Sequence, residues 1–291
     1  MRLITAEAGG GADFVARQLA QGLSANLGHP VLVDNQGGAS GIIAAQSLLK
    51  APADGYTMLL FTSSIWLLPF LQSAVPYDPV KDFSPVTLTD RAPSVLVVNP
   101  ALPVTSVKQL IALAKARPGE LNYSAGSSGA SPHLCAELFK KMTGVNIVRI
   151  SYKGTSPAVT NLIAGQVQLM FAASSAVSVH IKSGRLRALA VTSAQPSMLF
   201  PDLPTLASAG VPGYEAESTH GVLVRAGTPA PIVGKLNHEI ARVLDNRDVQ
   251  AKLLASGVEA VGSTTMQFAQ IIRSDMEKWG KLIKDSGIRN D

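Results

Sequence analysis

Short apolar runs alternate with longer segments in which apolar residues recur every three or four positions, from the first residues to about position 192. Apolar runs bounded by turn chemistry predict buried strands, and the amphipathic stretches between them predict crossover helices, so the pattern is that of βα units around parallel sheets. Residues 2–6 predict a strand, 9–11 a tight turn, and 13–27 a helix with Phe14, Val15, Leu19 and Leu23 on one face, stopped by Gly28. Residues 30–34 and 56–62 predict two more strands around a helix at 41–50. After a strand at 95–99 the cycle restarts. Thr105 or Ser106 caps a helix through Lys115, strands follow at 121–124, 147–151, 169–172 and 187–192, and helices at 131–142, 156–164 and 177–182. Pro201, Pro204 and Pro212-Gly213 punctuate the chain before a strand at 221–225 and helices at 232–244, 249–256 and 265–284.

The first group of units ends after about 95 residues with few helices, while the helical C-terminal stretch lacks a sheet of its own. We therefore expect the tail to return to the first lobe, giving lobe I at 1–98 with 222–291 and lobe II at 99–221. Two crossover segments, near 97–100 and 221–224, would then form a hinge. One continuous sheet without a hinge is the alternative.

Composition narrows the function classes. Of 291 residues, 46% are hydrophobic and 15% charged, as in a globule with a sizeable core. The formal charge of +5 favours anionic ligands in a general way, but the basic residues are dispersed and aromatics reach only 5%, so no nucleic-acid partner is expected. Cys135 stands alone, which excludes an intrachain disulfide and CxxC sites. No apolar run is long enough for a spanning helix.

The candidate chemistry lies at strand ends. In Ala6-Glu7-Ala8-Gly9-Gly10-Gly11-Ala12-Asp13, glycines let backbone N–H groups approach an anion at the positive end of the following helix. A tight turn with Asp13 as N-cap explains the same residues, and neither GxGxxG nor GxxxxGK[ST] is complete. Between Ser124 and Ser131, four serines and two glycines precede a helix start that Ser131 would cap with Pro132 at its first position. That exceeds what capping requires and points to an anion or carboxylate. Tyr152-Lys153-Gly154-Thr155, Thr62-Ser63-Ser64 and Ala172-Ala173-Ser174-Ser175 are further loops of this kind. The candidate ligand-binding set is Glu7, Ala8, Gly9, Gly10, Gly11, Asp13, Ser63, Ser64, Ser127, Ser128, Ala130, Ser131, Gly154, Thr155, Ala172 and Ala173. No catalytic or metal-ligating residue is assigned, because the five histidines are scattered and HExxH and GxSxG are absent. A hydrolase whose triad assembles from distant positions is the enzymatic alternative. His133 is read as a first-turn residue, and Trp66 and Trp279 as packing residues.

Several stretches carry a family resemblance: Gly9 to Asp13, Ala53-Asp54-Gly55-Tyr56-Thr57, Tyr77 to Phe83, Leu121-Asn122-Tyr123, Ser131-Pro132-His133-Leu134, Tyr152-Lys153-Gly154, Leu186 to Thr192 and Ala209 to Gly213. Over essentially its whole length the chain resembles the Bug (TctC-like) receptors, the extracytoplasmic solute-binding proteins of tripartite tricarboxylate transporters. The resemblance implies an α/β, two-lobed periplasmic-binding-protein fold (type II), each lobe a mixed sheet flanked by helices. It implies capture of a small carboxylate by lobe closure, the periplasm as location, no cofactor, and delivery to membrane subunits of the transporter. Some relatives present ligand to a sensor kinase instead.

Two departures stand out. The family's first loop usually reads Phe-Pro-Pro before the glycines, where this chain has Ala6-Glu7-Ala8, and a carboxylate at Glu7 would repel an anionic ligand. Glu7 is therefore expected to select a ligand with a neutral or cationic group at that end. Where relatives carry Phe-Asp-Asn-Leu-Pro, this chain has Phe171-Ala172-Ala173-Ser174-Ser175 and lacks the acidic side chain. Relatives begin several residues earlier, behind a signal peptide, so Met1 is expected to mark a truncated start.

Overall fold

A computed structural model describes residues 1–6, 8, 11–126, 129–152 and 154–289. Strand β1 (Arg2–Thr5) is buried from Leu3 onward, on both faces, as a central parallel strand requires. Helix α1 (Gly11–Leu27) buries Val15, Ala16, Leu19 and Leu23, the three-and-four spacing of one face. Gly28 ends it with φ +67°, returning its N–H to the Ser24 carbonyl at 3.1 Å. Strands β2 (Leu32–Asn35) and β3 (Thr57–Thr62) pair parallel to β1 on either side, with α2 (Ile42–Lys50) between them in sequence.

Helix α3 (Ser64–Leu71) is absent from the sequence reading. Its Ile65, Trp66, Leu67, Leu68 and Leu71 are all buried, so it has no polar face to betray a period. Strand β4 (Phe83–Val98) runs sixteen residues, where the apolar pattern marks only its last third, because Asp90, Arg91 and two prolines interrupt the signal.

The elements after β4 follow the predicted order. They are α4 (Val107–Ala116), β5 (Asn122–Ala125), α5 (Ser131–Thr143), β6 (Val148–Ser151), α6 (Thr155–Ile163), β7 (Leu169–Ala173), α7 (Ser174–Lys182), β8 (Arg187–Val191) and β9 (Glu217–Arg225). Helices α8 (Ala230–Leu244) and α9 (Arg247–Ala255), the short β10 (Glu259–Ala260) and α10 (Thr265–Asp285) complete the chain. Among the described residues, no helix is long and apolar enough to cross a membrane.

The chain divides into two compact units. The main segments of unit 1 are Met1–Arg91 and Thr219–Lys284, and the main segment of unit 2 is Ala92–Ser218. The crossings lie at 91/92 and 218/219, inside β4 and β9, and so before the 98/99 and 221/222 read from pattern alone. Each strand continues without a break through its crossing, and sequence periodicity cannot mark a boundary inside a strand.

In unit 1 the strand order is β2-β1-β3-β9-β4, with β9 antiparallel to β3 and β10 antiparallel on β4. Its core holds Trp66, which meets Phe268 edge-on at 5.8 Å and donates Nε1–H to Asp275 at 3.1 Å. In unit 2 the order is β4-β7-β5-β6, with β8 also on β4. There β5 runs parallel to β6 and β7, and β4 antiparallel to β7 and β8. Phe171 packs between Phe139 at 5.6 Å and Tyr214 at 6.5 Å, and buried Tyr214 donates its hydroxyl to the Cys135 carbonyl at 2.8 Å.

Candidate anion-binding site

The parallel strands fix where chemistry gathers. In unit 1 the carboxyl ends of β1 and β3 carry Ala8, Gly11, Ser63 and Ser64. In unit 2 the carboxyl ends of β5, β6 and β7 carry Ala130, Ser131, Gly154, Thr155 and Ala173. Glu7, Gly9, Gly10, Ser127 and Ser128 lie outside the described residues. A groove of about 480 Å³ lined by Met1, His29, Tyr56, Ile232 and Lys235 sits at the opposite, amino-terminal end of the unit 1 strands, away from these loops.

Asp13 departs from the expected cap. Helix α1 begins at Gly11, so Asp13 falls inside its first turn and is buried. Its carboxylate accepts from Arg17 Nε at 3.0 Å and from Asn35 Nδ2 at 2.8 Å, and the same Asn35 amide donates to the Ala6 carbonyl at 3.0 Å. Asp13 thus braces the end of β1 through Asn35, and its oxygens are engaged by the protein. The N–H groups of the serine loop are engaged too. Ser63 donates to the Thr219 carbonyl at 3.2 Å and Ser64 to Thr62 Oγ1 at 3.2 Å, while the Thr62 and Ser64 hydroxyls meet at 2.6 Å.

Unit 2 is built differently. The residues preceding α5, α6 and α7 are Ala130, Gly154 and Ala173, and none places a side chain on the helix N–H groups. Ser106 before α4 and Asn246 before α9 do cap their helices. Serine 131 is therefore the first residue of α5, not its cap, and Pro132 the second. Among the described residues, the positive ends of these three helices receive no side-chain cap behind adjacent strands, where backbone donors and the helix dipole favour an anion. Ala173 is exposed at the end of β7, whereas Ala172 is fully buried and in register with Val95 of β4, which removes it from the accessible set. Thr5 Oγ1 and Ser124 Oγ, each on the first parallel strand of its unit, are buried and meet no hydrogen-bond partner among the described residues.

Beneath the loop after β5 lies a polar cluster that the sequence reading did not assemble. Arg149 on β6 donates to the Gly126 carbonyl at 2.6 Å, and His133 Nδ1 accepts the Gly129 N–H at 3.1 Å. Glu137 accepts from the Tyr123 hydroxyl at 2.7 Å and from Lys140 at 2.8 Å, and lies 3.9 Å from His133 Nε2. Burial, then the nearby Arg149 charge, push the His133 pKa down to about 4, so its ring is neutral at physiological pH. Burial and the hydrogen bond to Glu137 hold the Tyr123 hydroxyl well above its ordinary range. The one signal in the sequence was the placing of His133 four residues after Gly129. Among the described residues, no three His, Cys, Asp or Glu side chains are grouped to hold a metal ion.

Comparison with known proteins agrees with this architecture. Residues 15–288 match the model of the tripartite tricarboxylate transporter family receptor. The Rpa4515 protein of R. palustris, solved with adipate, superposes with a TM-score of 0.82 at 38% identity, covering 99% of this chain and 98% of that one. Periplasmic binding protein BugD gives 0.78 at 31% identity over 100% and 99%. MatC from Rhodopseudomonas palustris, with bound malate, gives 0.75 at 26% identity over 97% and 99%.

Proposed function

The chain belongs to the tripartite tricarboxylate transporter receptor family, and from that premise we propose that it captures a small dicarboxylate in the periplasm and delivers it to the membrane subunits of its transporter. The observation that carries the ligand class is the set of three helix starts behind β5, β6 and β7, at Ala130, Gly154 and Ala173, none capped by a side chain among the described residues. Such starts offer backbone donors and positive dipole ends to a carboxylate without introducing a side-chain anion of their own. Adipate and malate, carried by two relatives, are both dicarboxylates. Binding in unit 2 draws on Ala130, Ser131, Gly154, Thr155 and Ala173, with Ser127 and Ser128 as further candidates, while unit 1 carries its own strand-end candidates in Ala8, Gly9, Gly10, Gly11 and the Ser63 hydroxyl. Asp13 and Ala172 support these loops from within. The family is one of receptors, so capture without turnover is the activity.

Titration calorimetry and thermal unfolding with adipate, malate and the neutral adipamide test the proposal. A ligand present at 100 times its Kd raises stability by about 2.7 kcal/mol, and both dicarboxylates should shift the transition while the diamide does not. Absence of a shift with either acid, or consumption of one, overturns the reading. Glu7 tunes preference among small carboxylates, amino acids included, without abolishing dicarboxylate binding. Glu7→Gln should move preference toward simple dicarboxylates and away from ligands with a cationic end, and an unchanged order of affinities refutes that role.

A further inference from the structure

We propose that His133 is a positioning residue for anion capture: its imidazole, reaching back from the first turn of α5, fixes the backbone of the loop that follows β5. The inference rests on the carboxylate-binding reading above.

With Ala130 as N-cap, His133 is the third residue of the helix. A glutamate or glutamine at this position often reaches back to an N–H at the helix start, as one half of a capping box. His133 makes a related contact one residue further back, with Nδ1 accepting the N–H of Gly129, which precedes the N-cap, at 3.1 Å. The reciprocal half is missing, because Ala130 offers no side-chain acceptor. Gly129 is thereby tied to the helix while, among the described residues, no side chain caps the first helical N–H groups. A glutamate in the same role would set a negative charge at the helix start, where a bound anion would be repelled. An imidazole supplies the acceptor without that charge.

The surroundings fit a neutral ring. With Nδ1 accepting, the proton sits on Nε2, which faces Glu137 Oε1 at 3.9 Å. The charged groups acting on the ring are Glu137 and Lys140 on α5 and Arg149 on β6, Tyr123 on β5 is linked to it through Glu137, and β7 contributes none. Burial and the Arg149 charge depress the His133 pKa to about 4, which keeps the acceptor available over the physiological range. On the other side of the loop Arg149 holds the Gly126 carbonyl at 2.6 Å, so an acceptor is turned inward at one end and a donor is anchored at the other.

The test compares wild type, His133→Gln and His133→Leu. Adipate and malate affinities are measured by calorimetry at pH 7.5, and Gly129 amide exchange by NMR without ligand. Leucine should weaken both acids at least tenfold and expose the Gly129 amide. Glutamine, a neutral capping-box acceptor, should restore protection and most of the affinity. In wild type the Gly129 amide resonance should titrate with a midpoint near 4, not near the ordinary histidine value of about 6.5. Wild-type affinity retained in the leucine variant, or no recovery with glutamine, overturns the positioning role alone. No binding of either acid by wild type overturns the carboxylate reading instead. Should the leucine variant fail to fold, the glutamine affinity and the Gly129 titration still decide.

Discussion

His220 Nδ1 lies 2.6 Å from Asp90 Oδ1, with both side chains buried in the sheet of unit 1. The pair joins β9 to β4, one residue short of the Arg91–Ala92 crossing on one strand and one residue past the Ser218–Thr219 crossing on the other. Thr89 Oγ1 stands 2.9 Å from Asp90 Oδ2 and 3.1 Å from the His220 carbonyl, so the carboxylate has a second polar neighbour. Burial by itself disfavours the imidazolium, but the Asp90 charge and hydrogen bond outweigh it and leave the His220 pKa raised.

Removing either partner should therefore cost more than removing both. His220→Leu leaves a lone buried carboxylate and destabilises by about 3–5 kcal/mol. Asp90→Leu leaves an imidazole that burial keeps neutral, at the smaller cost of about 1–3 kcal/mol for an unpaired buried polar group, and the double replacement leaves neither. The pH dependence has a definite sign. A raised histidine pKa means the folded state holds its proton more tightly, so this contribution is complete below the ordinary value of about 6.5 and fades as pH rises through the raised one. Urea unfolding between pH 6 and 9 should show that decline in wild type and lose it in His220→Gln. A slope that persists in the glutamine variant would assign the decline to other groups.

How much of this was legible beforehand depends on the range of the interaction. Helix α1 and its stop at Gly28 were readable because amphipathic period and left-handed glycine are local signals. Helix α3 was not, since a segment with apolar residues on every side shows no period. The strand-end loops were readable as candidates, but which of their groups remain open was not. Ser63 donates to the Thr219 carbonyl, which only the fold supplies, and Asp13 on α1 is claimed by Asn35 of β2. The Asp90–His220 pair spans 130 residues and carries no motif, so only the pairing of β4 with its neighbours assembles it.

Two glycine-to-alanine substitutions should move stability in opposite directions. At Gly221 a Cβ would stand 2.0 Å from Phe268 Cζ, inside the packing against Trp66, and the ring has no room to retreat. Overpacking of this kind costs about 1–3 kcal/mol. Gly234 lies exposed inside α8 with nothing within 4 Å of the added carbon, so alanine there gains about 0.5–1 kcal/mol of helix propensity. Chemical denaturation of both variants checks the pair, and Gly221→Ala at wild-type stability would contradict the packing.

Asp13→Ala separates bracing from ligand contact. It removes the acceptor for Arg17 and Asn35, which frees the Asn35 amide from the carboxylate while its bond to the Ala6 carbonyl remains. Loss of buried hydrogen bonds to a charged acceptor should lower stability by about 1.5–3 kcal/mol. Asp13→Asn, which keeps an acceptor oxygen, should lose less. If Asp13 touched the ligand directly, removing its negative charge would strengthen dicarboxylate binding. Calorimetry should instead show affinity falling with stability in the alanine variant.

Gly154 offers the sharpest separation of backbone shape from packing. Its φ of +107° and ψ of 175° lie in a region essentially restricted to glycine, and a Cβ added there meets nothing within 4 Å. Alanine at this position therefore creates no clash, and its whole effect is conformational. Keeping the native turn would cost about 1–3 kcal/mol, so the variant chain relaxes φ and re-aims the N–H groups that open α6. Those N–H groups belong to the proposed anion site, whereas the core of unit 2 is built from residues such as Val95, Leu162 and Met170, which the change does not touch. Gly154→Ala should thus weaken adipate and malate at least tenfold while the unfolding transition moves by only a few degrees. Equal affinity in the variant would remove the α6 start from the site and leave α5 and α7 to bind the anion.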